Sequence, residues 1–254
     1  MKRILTIIFA ILLIQFLVVK KVFSDEGEVK DCFETLNRAT FALNMGLDKV
    51  FFKPVSKGYR KLPSPIRTGT SNALNNLSNL VTVPNNILQG DFSSAANNTI
   101  RFVINSTLGI VGIFDPANSL GFKKGEKEDF GQSLGVMGVG EGCYLVLPGL
   151  GPSTVRDTVG SLISINGGDA WYNITVEKDT NYVKESDYYV SKGLSGVDFR
   201  AKNLEAFDSM EKNSIDLYAT VRSLYLQDRK KKINNSSSST EAMEDGDWDT
   251  LENQ

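Results

Sequence analysis

The stretch EDFGQSLGVMGVGEGCYLVLPGLG, residues 128–151, decides the fold because it interrupts a chain that is otherwise patterned for helices. Seven of the 22 residues from Phe130 to Gly151 are glycine, and most of the others are apolar. Glycine weakens helix interiors and marks turns, so the segment is predicted to be a hairpin or loop rather than a helix. Within it, the run from Gly138 does not complete the Gly-x-Gly-x-x-Gly pattern of nucleotide-binding loops, since Cys143 stands at the third glycine position. A tight turn or a close backbone approach explains the glycines better than a phosphate site.

Helical patterns flank this stretch on both sides. Apolar residues recur at steps of three and four, which places them on one face of a helix. These patterns cover residues 33–50, 73–81, 92–108, 154–165 and 199–226. Pro54 and Pro84 are expected to end the first two helices, because proline removes a backbone donor and clashes with the preceding turn. The chain is therefore predicted to be mainly α.

The amino-terminal residues carry the pattern of an export signal. Lys2 and Arg3 precede the apolar run of residues 4–19, and the sequence Val-Phe-Ser ends at Ser24. Sixteen helical residues span only about 24 Å, which is less than the ~30 Å hydrocarbon core of a bilayer. Residues 1–24 are therefore assigned to a signal peptide cleaved after Ser24. An uncleaved anchor stays open as the alternative, because Lys20 and Lys21 lie close to the proposed cleavage site.

The rest of the chain divides into a helical domain and a tail. Residues 25–229 contain the helical patterns and the glycine-rich stretch. Residues 230–254 hold three lysines, four consecutive serines and an acidic run, and such a composition buries too little apolar surface to order itself. The tail is predicted to be disordered.

Composition removes most catalytic and binding classes. The 254 residues include no histidine and two cysteines, so imidazole bases, Ser-His-Asp triads, histidine zinc sites and thiolate zinc clusters are excluded. With a formal net charge of −2, the chain does not have the basic excess of a nucleic-acid binder. No metal site, cofactor or catalytic residue is assigned, and the chain is not expected to be an enzyme.

The acidic residues, the cysteines and the apolar helix faces each allow more than one interpretation. Glu126, Glu128 and Asp129 form one acidic group, and Asp208 with Glu211 forms the other. Both groups are interpreted as solvated surface charge, because carboxylates meet often by chance in a chain with 30 of them. The two cysteines either pair in a disulfide, as an exported protein permits, or lie buried as small apolar residues. The apolar helix faces either form a soluble core or contact lipid.

Two residue runs stand out along the chain: the opening run DCFETLNR, residues 31–38, and the strongest run EDFGQSLG, residues 128–135. They resemble runs of the VacJ/MlaA family of bacterial outer-membrane lipoproteins. Between and after them, in order, the matching residues include Asp48, Lys53–Val55, Ile66–Arg67, Leu88–Gly90, Arg101–Phe102, Asn105–Ser106, Gly138–Gly140, Leu147–Pro148, Gly151–Ser153, Arg156–Asp157, Tyr218, Arg222 and Tyr225. The resemblance covers residues 31–229, nearly the whole helical domain.

The resemblance implies a fold and a role. The fold is a ring of amphipathic helices with a glycine-rich hairpin, embedded in the outer membrane from the periplasmic side. The role is to remove mislocalised phospholipid from the outer leaflet and pass it to a soluble periplasmic lipid carrier, which maintains lipid asymmetry. Members of the family also associate with trimeric porins. The alternative is a non-catalytic factor for envelope integrity or spread between cells, without lipid transport.

Two sets of candidate residues are singled out for this role. The glycine-rich segment is expected to form a gate beside the lipid path, with the residues Phe130, Gly131, Leu134, Gly135, Gly138, Gly140 and Tyr144. Six polar residues of the matching runs are expected to anchor helices to one another rather than to contact lipid, namely Asn37, Arg38, Asp48, Arg101, Arg156 and Asp157. One feature departs from the family: Cys32 follows Val29-Lys30-Asp31, which is not a lipobox, so a lipid anchor on Cys32 is not expected.

Overall fold

The computed structural model describes residues 29–177 and 183–234, and this part of the chain is mainly helical. The predicted signal, residues 1–24, and tail residues 235–254 lie outside the described residues. The helices are α1 Glu34–Leu47, α2 Lys53–Tyr59, α3 Ser64–Leu88, α4 Phe92–Thr107, α5 Pro116–Ser119, α6 Phe130–Val136, α7 Val155–Ile163, α8 Ala170–Tyr172, α9 Glu185–Lys202, α10 Leu204–Asn213 and α11 Leu217–Ile233. Strands β1 Tyr144–Leu147 and β2 Gly151–Thr154 form the described sheet.

Neither proline ends its helix, contrary to the prediction. A π-helical turn, Asp48–Phe52, joins α1 directly to α2, so the helical path continues through Pro54. Such a wider turn accommodates the proline ring and its missing donor. Pro84 lies inside α3, where the side chain of Asn85 donates a 2.8 Å hydrogen bond to the carbonyl of Val81.

The glycine-rich stretch is part helix and part hairpin, so the prediction of no helix is wrong for its first residues. α6 begins after Asp129, whose carboxylate accepts a 2.9 Å hydrogen bond from the backbone N–H of Gln132 and caps the helix. β1 and β2 then pair antiparallel, with Tyr144 opposite Thr154. The hairpin part of the prediction is confirmed.

The long helix predicted for residues 199–226 is divided among three helices. α9 ends at Lys202, α10 follows at once, and the chain is extended between Asn213 and α11. Asp216 caps α11 by accepting a hydrogen bond from the N–H of Ala219. The last helix continues to Ile233, so residues 230–233, predicted to belong to the disordered tail, are helical.

Contacts between the elements form a closed circuit. α1 contacts β1, the hairpin leads to β2, and β2 contacts α7. α7 packs on α6, α6 contacts α3, α3 contacts α9, and α9 packs on α2, which continues from α1. α4 packs along α3, and α11 contacts α6 and β2. This arrangement agrees with the predicted ring of helices.

A disulfide closes the junction between the start of the domain and the hairpin. Cys32 and Cys143 are bonded, with their Cα atoms 5.6 Å apart. The backbone carbonyl of Lys30 accepts a 2.9 Å hydrogen bond from the N–H of Tyr144 beside it. Of the two alternatives that the sequence leaves open for the cysteines, the structure shows the disulfide.

Candidate functional site

The interior between α3 and α4 is polar. Side chains buried on these two helices include Arg67, Ser71, Asn76, Thr82, Asn85, Asn86, Asn98, Arg101 and Asn105. They bond to one another across the interface: Asn98 donates to the side-chain oxygen of Asn86 at 3.0 Å, and Asn76 donates to Ser106 at 2.8 Å. Hydrogen bonds of this kind make the burial of polar groups tolerable. The two helices are therefore held together by amides rather than by apolar packing.

The apolar side chains of the same helices point outward. On α3, Ile66, Ile87 and Leu88 are exposed, and on α4, Phe92 and Val103 are exposed. Over the described residues as a whole, 33 large apolar side chains are exposed, whereas ten apolar side chains are buried. Exposed single apolar residues are ordinary on soluble proteins, but a surface of this extent marks contact with another apolar phase or partner.

The helices that supply much of this surface are amphipathic. Within residues 29–177 and 183–234, no helix is both long enough and apolar enough to cross a membrane. Each of the helices α3 and α4 has one apolar and one polar face, which is the pattern of helices that lie in the plane of a membrane interface. The geometry thus provides an apolar exterior around a polar interior.

Arg229 on α11 is one of the buried charged groups of the interior. Its guanidinium makes two hydrogen bonds to Asp129, at 2.6 and 2.9 Å, and one of 2.7 Å to Asp157. Asp157 also accepts hydrogen bonds from Tyr225 and, at 3.1 Å, from Arg156. This network ties α11 to α6 and α7, and sequence patterns did not single out Arg229 because its partners lie 72 and 100 residues away.

The interpretation of the first acidic group as solvated charge is wrong for Glu128. This residue is buried, and it accepts a 2.8 Å hydrogen bond from Gln89. Burial raises the pKa of Glu128 above its usual range. Burial would also raise the pKa of Asp129, but the hydrogen bonds and positive charge of Arg229 outweigh it and lower this pKa to about 2. In the second group, Asp208 and Glu211 are partly exposed and form ion pairs with Lys53.

Asn37 and Asp48 hold α1 and its continuation in place. Asn37 is buried, donates to the carbonyl of Tyr144 at 3.0 Å and accepts from the N–H of Val146 at 2.9 Å. It therefore completes the edge of β1 with its side chain. Asp48 accepts two hydrogen bonds from Arg200 on α9, at 2.9 and 3.0 Å. Both residues connect elements, which is the geometry expected of anchors.

The two arginines on α1 and α4 also connect elements. Arg38 binds Asp216, just before α11, at 2.7 Å, and its guanidinium lies 4.4 Å from the ring centre of Tyr218. Arg101 pairs with Asp115 at 2.7 Å and also donates to a backbone carbonyl at Phe122. Arg156, in turn, donates to the carbonyl of residue 139 at 3.4 Å, so all six polar residues singled out in the sequence bond to other parts of the fold.

The residues expected to form a gate lie on α6, in the connection that follows it and at the start of β1. Phe130, Gly131, Leu134 and Gly135 lie on α6. A Cβ on Gly131 would lie 2.5 Å from the carboxylate of Asp157, and one on Gly135 would lie 2.7 Å from Ile233, so these glycines permit close helix packing.

The remaining gate residues flank the disulfide. Tyr144 is fully buried in an apolar cluster with Val146 and Tyr218. Gly138 and Gly140 lie in the connection between α6 and β1, where Gly138 adopts a positive φ of 88°. Arg156 of α7 donates to the carbonyls of residues 139 and 141, so this connection contacts α7. The gate itself stays a prediction.

A row of asparagines on α3 was missed by sequence reasoning. Asn72, Asn75, Asn76 and Asn79 follow helical spacing and line a narrow polar cleft with Asn98 and Asn105 of α4. The loop 124–127 closes the third side of this cleft. A search for helical periodicity among asparagines, and not only among apolar residues, would have found this face.

Comparisons with known proteins agree on one family. A family model described as MlaA lipoprotein matches residues 29–232. The chain is 32% identical over 211 residues to the intermembrane phospholipid transport system lipoprotein MlaA of Escherichia coli, covering 80% of this chain and 78% of that protein. It is 31% identical to the protein of the same name from Haemophilus influenzae, covering 82% and 81%. An uncharacterized protein of Rickettsia bellii is 33% identical over 208 residues.

A solved structure has the same fold. It is described as the structural basis for maintenance of bacterial outer membrane lipid asymmetry. The two structures superpose with a TM-score of 0.69 at 30% sequence identity, over 81% of this chain and 100% of that one. The mainly α prediction is confirmed by this match and by the described helices.

Proposed function

Because the chain belongs to the MlaA lipoprotein family, we propose that it is the outer-membrane component of an intermembrane phospholipid transport system. In this role it takes mislocalised phospholipid from the outer leaflet and passes it to a soluble periplasmic carrier. The names of the E. coli and H. influenzae relatives, which describe phospholipid transport between membranes, support this role. The proposal contains no chemical step on the lipid.

The inverted distribution of polar and apolar side chains carries the proposal. A diacyl lipid in transit needs an apolar surface for its tails and a polar route for its headgroup. Helices α3 and α4 offer both, with buried asparagines between them and exposed side chains such as Val103 outside. Burying about 100 Å² of such apolar surface in lipid is favourable by roughly 2.5 kcal/mol. This surface supports the proposal that the protein is embedded in the membrane from the periplasmic side.

We propose that the protein is not attached to the membrane through Cys32, although relatives are named lipoproteins. A lipoprotein anchor is a thioether on a cysteine sulfur, and the sulfur of Cys32 is bonded to Cys143. We propose that the apolar exterior of the helices, or an uncleaved signal, holds the protein at the membrane. An intact-mass spectrum with a diacylglyceryl group on Cys32 would contradict this.

The partners proposed for the chain are phospholipid, a periplasmic lipid carrier, a trimeric porin and the outer membrane. Energy for transport is assigned to partners, since no nucleotide-binding motif was identified in the sequence. The glycine-containing connection 137–142 is proposed as the gate, with α6 and Tyr144 as its fixed frame. Cross-linking this connection to the ring is expected to stop transport, and unchanged transport would contradict the gate.

The test is the amount of phospholipid in the outer leaflet of the outer membrane. Cells with and without the gene are treated with an external phospholipase, and the hydrolysed lipid is measured. We expect accumulation on deletion and reversal by the intact gene. An unchanged outer leaflet with a damaged envelope would instead favour a role in envelope integrity, and release of lysophospholipid by the purified protein would favour an enzyme.

A further inference from the structure

The circuit of helices closes at a seam between α1 and β1, where two asparagines of α1 bind the backbone of the hairpin. Asn37 accepts a 2.9 Å hydrogen bond from the N–H of Val146, and Asn44 accepts one of 2.7 Å from the N–H of Gly149. Both side chains also donate to backbone carbonyls of the hairpin, at 3.0 and 2.9 Å. The partners lie 109 and 105 residues apart in the sequence, so these contacts join the start of the domain to its middle.

A disulfide crosses the same seam just before α1. The carbonyl of Lys30 accepts a 2.9 Å hydrogen bond from the N–H of Tyr144, and the carboxylate of Asp31 accepts hydrogen bonds from α1 and α11. The next residue, Cys32, is bonded to Cys143. The hydrogen bonds across the seam are individually weak, whereas the disulfide is covalent. The disulfide therefore limits how far the hairpin can move away from α1.

This disulfide lies at the protein surface. Cys32 is exposed and Cys143 is half-buried. Gly142, which precedes Cys143, is exposed and has no side chain to cover the sulfur atoms. The exposed residues Lys30 and Glu34 lie two positions on either side of Cys32, so the surroundings include charged side chains. Exposed disulfides exchange with thiols more readily than enclosed ones, and the sulfur of Cys32 is the more accessible of the two.

We propose that Cys32 and Cys143 form a site of reversible thiol–disulfide exchange that locks and unlocks the seam between α1 and β1. The co-reactant is a thiol or dithiol in the aqueous phase. Its thiolate attacks the Sγ of Cys32, the S–S bond breaks, and the sulfur of Cys143 leaves as a thiolate that takes a proton from water. A second thiolate of the reductant then attacks the reductant sulfur of the mixed disulfide and releases Cys32. Two electrons thus pass to the protein, and the reductant leaves as a disulfide.

Reduction changes the seam and leaves the rest of the circuit paired. The reduced protein keeps the hydrogen bonds of Asn37 and Asn44 but loses the covalent bond beside them. The hairpin then opens from α1 more often, while α3 and α4 stay joined by their buried amides. The exchange needs no lipid, so it is independent of the transport role.

Reaction with reduced glutathione tests the exchange site. The full-length, disulfide-bonded protein in phospholipid bilayer discs is treated with excess glutathione in the absence of denaturant, and the reaction is stopped with N-ethylmaleimide. Peptide mass spectrometry locates the products. We expect the first adducts to carry glutathione on Cys32 and a free thiol at Cys143. A disulfide that glutathione reduces only after unfolding in denaturant, or glutathione attached mainly to Cys143, would overturn the proposal.

Two charge variants identify the point of attack. Lys30→Glu places a negative charge near Cys32 and should slow the reaction with anionic glutathione about threefold at low salt. Lys57→Glu makes the same charge change at an exposed position of α2 and should leave the rate unchanged. Equal rates for the two variants would contradict attack at the surface beside Lys30.

Amide hydrogen exchange distinguishes a lock from a bond that is merely labile. The N–H groups of Tyr144, Val146 and Gly149 donate across the seam. Peptides that contain them should exchange about tenfold faster after reduction and recover on reoxidation, whereas peptides from residues 92–107 of α4 should not change. Identical exchange in the two forms, or an increase in all peptides as in global unfolding, would overturn the lock.

Discussion

Removing the guanidinium of Arg229 is expected to destabilise the protein more than removing any exposed ion pair. In Arg229→Gln the carboxylate of Asp157, whose side chain is 7% exposed, loses a charged partner at 2.7 Å. Breaking a buried ion pair costs roughly 3–5 kcal/mol. Because Asp157 keeps Tyr225 and Arg156, the lower end applies, and we expect a loss of about 3 kcal/mol in the free energy of unfolding.

The contact between Arg229 and Asp129 adds little to this figure. The side chain of Asp129 is 48% exposed, so solvent screens the pair and its contribution lies within about 1 kcal/mol. Arg38→Gln is the matched control, since Arg38 and its partner Asp216 are both about 40% exposed, and its loss of stability should be much smaller because solvent screens the pair.

Denaturant unfolding of the disulfide-bonded protein in detergent micelles, followed by circular dichroism, measures both variants. The slope against denaturant should not change, so that the midpoints report stability alone. Adding Asp157→Asn to Arg229→Gln should recover part of the loss, because the buried carboxylate is then removed and Arg156, which also loses Asp157, keeps Glu141 at 3.6 Å. Equal midpoints for Arg229→Gln and Arg38→Gln would refute the view that this network holds the fold together.

Three further predictions follow from individual contacts. The pKa of Asp129 is lowered to about 2, so its ion pair with Arg229 stabilises the fold above about pH 4 and is lost as the pH falls through 2. The free energy of unfolding of Asp129→Asn should therefore vary less between about pH 4 and 2 than that of the wild type. Ile110→Asn with Val111→Asn introduces residues that tolerate positive φ and removes the apolar surface, so flotation with vesicles should weaken while helix content stays unchanged, and unchanged flotation would argue against contact of these two residues with lipid. Cys32→Ser with Cys143→Ser opens a loop of 111 residues and should lower the free energy of unfolding by about 4 kcal/mol. This difference from the wild type should vanish when both proteins are measured in reductant.

Sequence periodicity located the helices but not the direction in which they face. The apolar stripe from Phe92 to Leu108 correctly predicted α4, yet its members Val103 and Leu108 are exposed. A stripe of this kind has the same spacing whether it packs on a core or on lipid. Only the positions of Asn98 and Asn105 on the buried face distinguish the two arrangements, and that requires the neighbouring helix.

Errors in the helix boundaries have local physical causes. Proline normally ends a helix, but here a π-helical turn precedes Pro54, and beside Pro84 the side chain of Asn85 supplies an additional donor to the carbonyl of Val81. α6 was missed because its glycines, such as Gly131, were interpreted as marking a hairpin or loop, whereas they lie in a helix and permit its close packing. Both effects depend on neighbours that single-sequence patterns do not describe.

Contacts between residues far apart in the sequence could not be predicted for the candidate site. The six polar residues were identified as anchors, and each bonds to other parts of the fold, but their partners were not identified. Asp48 and Arg200 are 152 residues apart, and Cys32 and Cys143 are 111 apart. Charge and composition show that such groups exist, whereas the closed circuit of helices decides which of them meet.

Collision accessibility of spin labels tests the central claim most directly, namely that the apolar exterior faces lipid and the asparagine cleft faces water. Labels are attached to Val103→Cys on the outer face of α4 and to Asn79→Cys in the cleft, with the native cysteines kept in their disulfide. In bilayer discs, the label at position 103 should collide more with oxygen, and the label at position 79 more with a water-soluble nickel complex. A label at position 103 that the nickel complex reaches as readily as one at exposed Lys230 would contradict the account.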